Sequence, residues 1–469
     1  MKNTFKSALM AGGLLASLQV LSQATITLDI RDGANEGFND TTAATPIGGN
    51  TGTTLGEQRL AVFERAAEIW GGFLNSDVEI VISAGFDPQT CGPTGATLGS
   101  AGPNTVHRDF PNAPVSNTWH VSALASSLTG NDINGGDVDI NTTFNSAIDD
   151  GCFNSGWYYG LDGATPAGFT PLLPVVLHEL GHGLGFLTLT NGTTGALFDG
   201  SPDSWTRFLQ DDETGESWDV MTNAERAASA INDPNLVWTG PNVTAEFPNV
   251  LGNPAVFTIN APGGIAGDYG IQTASFGPAI PDAGLTADVV LADDGSGVDV
   301  NDACEAINTD LTGAIAIVNR GSCNFTAKVI NAQNAGAIAV LVANNVPDGL
   351  PPMGGADPLV AIPSVGISQA DGVLITGSGS TVNATLGYDL SSFAGTQGGF
   401  LRLFAPNPFQ GGSSVSHWST DANPNLLMEP SITSTIFDEI DLTLQLFQDI
   451  GWSTNGDFDP DLIFENGFE

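Results

Sequence analysis

Two histidines four residues apart bind this chain's fold to a metal more tightly than any other feature of its sequence. They lie in Leu177-His178-Glu179-Leu180-Gly181-His182-Gly183-Leu184-Gly185-Phe186, a segment that reads as helix. Residues i and i+4 of a helix share a face about one turn apart. Both imidazoles can therefore reach one ion, and zinc is the usual occupant of such a pair. Glu179, beside the first histidine, is placed to take a proton from a metal-bound water. Gly185 is expected to let the chain leave the helix sharply, because glycine meets no steric penalty at positive φ.

A catalytic zinc needs a third protein ligand. The chain has five histidines, so the candidates are His107, His120 and His417. His120, in Trp119-His120-Val121-Ser122, has an apolar setting and reads as structural; His107 reads as a surface residue. A downstream Glu213 or Glu216 is the alternative ligand, but neither sits in a helical motif. His417 stands in Ser416-His417-Trp418-Ser419, shortly before Leu427-Met428-Glu429-Pro430.

With 469 residues, two or three domains are expected. Met1 to Ala24 reads as a secretory signal: Lys2 and Lys6, an apolar run, then Ser22-Gln23-Ala24 as a small-x-small cleavage site. No later run is long enough to span a membrane, so an exported, secreted product is expected. The 52 acidic against 11 basic residues give a formal charge of −41. That excludes nucleic-acid and anionic-membrane binding, which need clustered Lys and Arg. Acidic Gly/Asn/Asp loops at 131–141 and 293–302 are candidates for Ca2+, although no complete EF-hand loop is present. Four cysteines in an exported chain suggest two disulfides with three pairings open. Their order favours Cys91 with Cys152 and Cys304 with Cys323.

Along the chain, Thr25 to Ile30 alternates as a strand. Thr54 and Glu57 have capping-box spacing ahead of an amphipathic helix, and Val78 to Ser83 is a second strand. Ala84 to Val106 reads as a Gly/Pro-rich loop, and Asp137 to Asn141 as a strand at the edge of an active-site cleft. Ser204 to Leu209 and Asn223 to Ile231 read as short helices, and Pro234 to Asn249 as loop. Ala314 to Val318, Phe325 to Asn334 and Ala337 to Ala343 form a βαβ unit whose strands are apolar on both faces. Ile362 to Ile367 is a further strand. Leu442 to Ile450 is a helix closed by Gly451.

Two family resemblances rest on these residues. A contiguous metzincin pattern would place the third histidine at position 188, which is Thr188. The chain instead resembles the leishmanolysin-like metzincins, in which an inserted segment separates the helix motif from a histidine in an S-H-W context and a methionine turn. The resemblance implies zinc on His178, His182 and His417, Glu179 as base, Gly185 at the helix exit and Met428 in the turn beneath the metal. Gly313 to Phe325, Lys328-Val329, Asn331 to Gln333 and Ile362 to Ser368 resemble a protease-associated (PA) domain, which also suits a Cys304–Cys323 bond.

The expected architecture is therefore α/β and α+β. A signal peptide (1–24) precedes a metzincin-like catalytic domain in two parts (25–255 and 391–453). A PA domain (256–390) is inserted between them, and an acidic tail (454–469) follows. The expected activity is a secreted zinc endopeptidase acting on protein or peptide substrates. The alternative is an exported PA-domain binding or adhesion protein that retains a structural zinc site. Trp157 to Leu161 and Phe404 to Gly411 are the candidate pocket loops.

Overall fold

The computed structural model describes residues 22–456, apart from 93–94, 153–154, 348 and 434–435. Most of the expected leader, and the expected tail beyond residue 456, lie outside the described residues. The chain divides into two units: Met1–Val250 with Gln397–Glu469, and Leu251–Thr396.

The first unit opens with β1 (Ile26–Ile30), α1 (Leu55–Phe73) and β2 (Ile80–Ala84). It continues with β3 (Gly99–Pro103), α2 (Ser122–Thr129), β4 (Ile140–Asn145) and α3 (Leu172–Leu184). The capping box is formed: Thr54 Oγ1 accepts the Glu57 N–H at 3.2 Å, and the Glu57 carboxylate accepts the Thr54 N–H at 3.1 Å. The buried side of α1 carries Val62, Phe63, Ala66, Ile69 and Trp70. Phe63 meets Phe144 of β4 edge-on, centroids 4.7 Å apart. Trp70 Nε1 donates to the Leu177 carbonyl of α3 at 3.1 Å. Thus α1 ties the sheet to the metal-motif helix.

β1, β2 and β4 run parallel, and β3 pairs antiparallel with β4 from Gly99↔Phe144 to Pro103↔Ile140. This corrects the sequence reading twice. The stretch 84–106 is not all loop, because Gly-Ser-Ala-Gly-Pro forms a strand through tertiary pairing despite poor intrinsic propensity. And the strand expected at 137–141 falls at Ile140–Asn145, with β3 on its outer side. The outer position tolerates glycine and a terminal proline. It also uses one of them: a Cβ at Gly99 would stand 3.0 Å from Glu179 Cγ.

The first unit also holds a small antiparallel sheet containing Leu209–Asp211, Leu236–Trp238 and Phe400–Arg402. The 234–249 stretch, expected as loop, holds the second of these strands and a helix, Pro241–Val250. Ser204 to Leu209, expected as a helix, contains only a 3-10 turn, Thr206–Phe208, that runs into a strand. Val237 pairs with Arg402 and Trp238 with Leu401. The chain therefore leaves for the second unit and returns on neighbouring strands. The last helix among the described residues is Thr443–Ile450, ended by Gly451 at φ +117.

The second unit is an eight-stranded sheet. Its centre is a parallel run: Leu285–Leu291, Ile315–Asn319, Ala339–Ala343 and Ser364–Ile367. The helix Phe325–Asn334 connects the second and third of these. Ala339, Leu341 and Ala343 enter one core and Val340 and Val342 the other, so both faces are covered, as the unbroken apolar run requires. Cys91 is bonded to Cys152 and Cys304 to Cys323, with Cα separations of 6.1 and 5.7 Å.

Candidate metal centre

α3 is almost wholly buried along its length. Its glycines let neighbours approach. A Cβ at Gly183 would stand 2.3 Å from Ile140 Cγ2, and one at Gly181 would stand 2.8 Å from Met428 Sδ. Met428, fully buried, thus packs directly under the helix turn that separates the two histidines. Gly185 takes φ +128, and the Phe186 N–H returns to the Gly181 carbonyl at 3.0 Å. This is the six-to-one bond of a glycine-terminated helix.

His417 comes to α3 from 235 residues beyond His182. A chain of pairings carries it there. The Leu403 N–H donates to the Leu236 carbonyl, the Phe404 N–H to the His417 carbonyl and the Trp418 N–H to the Met428 carbonyl, each at 2.9 Å. Trp418, fully buried, then packs edge-on against Phe186 and Trp238.

The Nε2 atoms of His178, His182 and His417 form a triangle with every side 3.2 Å. Each Nδ1 faces a backbone carbonyl: Leu427 at 2.7 Å, Phe186 at 2.7 Å and Ser413 at 2.8 Å respectively. A carbonyl only accepts, so each Nδ1 carries the proton and each Nε2 presents a lone pair. Burial pushes His178 down to about 3 and His182 down to about 4. Burial, reinforced by the other two rings, holds His417 well below the ordinary imidazole range. Three neutral acceptors facing one another lack any donor among themselves. Three nitrogens at the usual zinc distance on a tetrahedron stand about 3.3 Å apart, so these residues fit that ion.

Glu179 is buried, and burial raises its carboxyl to about 8. It accepts a hydrogen bond from the backbone of Ala101 on β3. The outer strand and the carboxylate therefore share one edge of the site. Among the described residues a pocket of about 300 Å³ opens beside His182. Leu187, Thr188, Thr190, Phe409 and Val415 are among its lining residues. Phe409 belongs to one of the loops named from sequence. The other loop is misassigned: Trp157, Tyr158 and Tyr159 are each 4% exposed and turned inward. The Trp157 indole donates to the Asn145 carbonyl, and the Tyr159 hydroxyl bonds to Asp149.

The remaining candidates go elsewhere. His120 is buried with Nδ1 on the Thr118 carbonyl, and His107 bonds to Thr105. Glu213 accepts from Asn232. Thr188, at the position of a contiguous third ligand, instead bonds to Ser416 and Asp203. In the first acidic loop, Asp132 caps the N–H groups of Asn134 and Gly136. Asp139 accepts from Val81 and Asn134. Sequence reading missed the three orienting carbonyls and Ala101, which act through backbone atoms that any residue supplies.

Residues 285–375 match the PA domain. They lie within the second unit, so the chain is a mixed α/β protein in which a PA domain interrupts a larger domain. Signal peptide peptidase-like 3 of Arabidopsis thaliana is 37% identical over 123 residues, covering 25% of this chain and 22% of that protein. Probable leucine aminopeptidase 2 of Aspergillus fumigatus is 44% identical over 66 residues, 13% of each chain. The chain thus spans less than a quarter of the length of these curated relatives. Among solved structures, a zinc aminopeptidase from Bacillus subtilis is 27% identical with a TM-score of 0.23, over 31% of this chain and 36% of that one. The aminopeptidase from Aneurinibacillus sp. strain AM-1 is 28% identical with a TM-score of 0.23, over 29% and 31%.

Proposed function

We propose that this chain is an exported zinc metallopeptidase of metzincin type that cuts internal peptide bonds. His178, His182 and His417 hold the metal and Glu179 serves as general base. The observation that carries the reading is the closed triangle of Nε2 lone pairs with every Nδ1 committed to a carbonyl. Zinc, when bound, supplies a Lewis acid for the carbonyl and a more acidic water.

The chain's own groups do the rest. Glu179, buried beside His178, takes a proton on its carboxylate and returns it to the leaving amine. β3 pairs with β4 on one side. An extended substrate added to its other side would find backbone donors and acceptors in register and run past Glu179. Met428 and Gly181 set the height of α3 above the Met428-Glu429-Pro430 turn, the arrangement that favours a metzincin over a generic two-histidine site. The paired disulfides support an oxidising, exported setting. Among the described residues no helix is long and apolar enough to cross a membrane.

A second reading comes from the relatives named as aminopeptidases. An internally quenched peptide blocked at both ends separates the two, because an aminopeptidase requires a free amino terminus. Cleavage of the blocked peptide that stops with a zinc chelator and returns with zinc supports the endopeptidase. Cleavage confined to a leucine amide with a free amine supports the second reading. No zinc-dependent cleavage of either substrate supports the binding-module alternative.

A further inference from the structure

We propose that the inserted unit holds a calcium ion among Asp294, Asp302 and Glu305. One carboxylate oxygen of each lies within 4.8 Å of the others. What separates this cluster from an ordinary acidic surface is Asp294, which is only 4% exposed. Its Oδ1 accepts the Ser296 N–H at 3.0 Å. Its Oδ2 is buried and has no hydrogen-bond donor among the described residues. A carboxylate oxygen removed from water without a donor carries its full desolvation cost. A cation at the centre of the cluster removes that cost.

The neighbouring cation of the chain does not supply it. Lys328 is fully buried, but its ammonium is directed at the Asp302 carbonyl oxygen, at 2.5 Å, and at Cys304 Sγ, at 3.2 Å. The carboxylates of Asp302, Asp299, Asp294 and Glu305 all act on that one ammonium, so negative charge stays in excess there and a divalent ion offsets it. Asp302 is also buried, with Oδ1 on the Cys304 N–H. The Cys304–Cys323 bond fixes the segment between Asp302 and Glu305. Glu305 is exposed, which leaves positions for water. An all-oxygen donor set of carboxylates and water suits calcium and not a softer metal. The remaining sulfurs nearby are bonded to each other.

Equilibrium dialysis of the full chain against radioactive calcium tests this at physiological ionic strength, after stripping on a chelating resin and reloading with one equivalent of zinc. The wild-type chain is expected to bind calcium, with one equivalent lost in Asp294→Asn. Glu305→Gln, at an exposed position that leaves the fold intact, weakens that equivalent on the order of ten-fold through loss of a charged ligand. Asp132→Asn, in the other acidic loop, leaves it in place. A wild-type chain that takes up no calcium overturns the proposal, as does a Glu305→Gln chain that matches the wild type in stoichiometry and affinity.

Discussion

The ring of Phe186 meets the ring of Trp418 edge-on, centroids 5.1 Å apart and planes at 84°. Phe186 is the first residue past the helix exit, and its carbonyl orients His182. Trp418 follows His417 directly. The contact locks the two chain segments that carry the metal-facing nitrogens, and both rings are fully buried. Replacing Trp418 with alanine should cost about 3–5 kcal/mol, the usual range for a large buried aromatic. It should also loosen zinc, because the register of His417 depends on the same packing. Thermal unfolding with and without zinc checks this: the variant should show a lowered Tm and a smaller zinc-dependent increment. An unchanged increment would separate the aromatic packing from the site.

Glu179→Gln keeps the shape of the side chain and removes the base. Hydrolysis of a blocked peptide should fall by about 10²–10⁴, the span of a general acid–base contribution, while zinc content stays at the wild-type level. Activity within a few-fold of wild type would remove Glu179 from the chemistry.

The same substitution should stabilise the metal-free chain at alkaline pH. Burial raises the Glu179 carboxyl to about 8 from its ordinary 4.5. Between those values the folded state holds a proton that the unfolded state has released, so stability falls as pH rises through the window. Above pH 8 the cost is complete and of order a few kcal/mol. Glutamine does not titrate. The stability difference between Glu179→Gln and wild type, from denaturant unfolding in chelator, should grow in favour of the variant from pH 5 to pH 8. A difference that stays flat across that range would mean the carboxylate is solvated.

What could be read from the sequence was local chemistry. Thr54 and Glu57 bond to each other across one helical turn, so the start of α1 needed no distant partner. Gly185 and Gly451 announced helix ends for the same reason, since positive φ is open to them without steric cost. The βαβ run around Phe325–Asn334 was legible because strands covered on both faces are apolar throughout. What stayed hidden is non-local. Gly99–Pro103 is a strand only because β4 offers it a partner. Leu236–Trp238 reads as loop because three residues carry too little pattern; pairing with Leu209–Asp211 on one side and with Phe400–Arg402, beyond the whole inserted unit, on the other makes it a strand. The orienting carbonyls of Leu427, Phe186 and Ser413 could not be found by residue type, as every residue has one.

The central claim is that His417, and not a nearer side chain, completes the site. Zinc per chain, measured by mass spectrometry after dialysis at submicromolar free zinc, tests it in His417→Ala and His120→Ala side by side. The account predicts one zinc per chain in wild type and in folded His120→Ala, and its loss in His417→Ala with the fold retained by circular dichroism. A His417→Ala chain that keeps its zinc would contradict it.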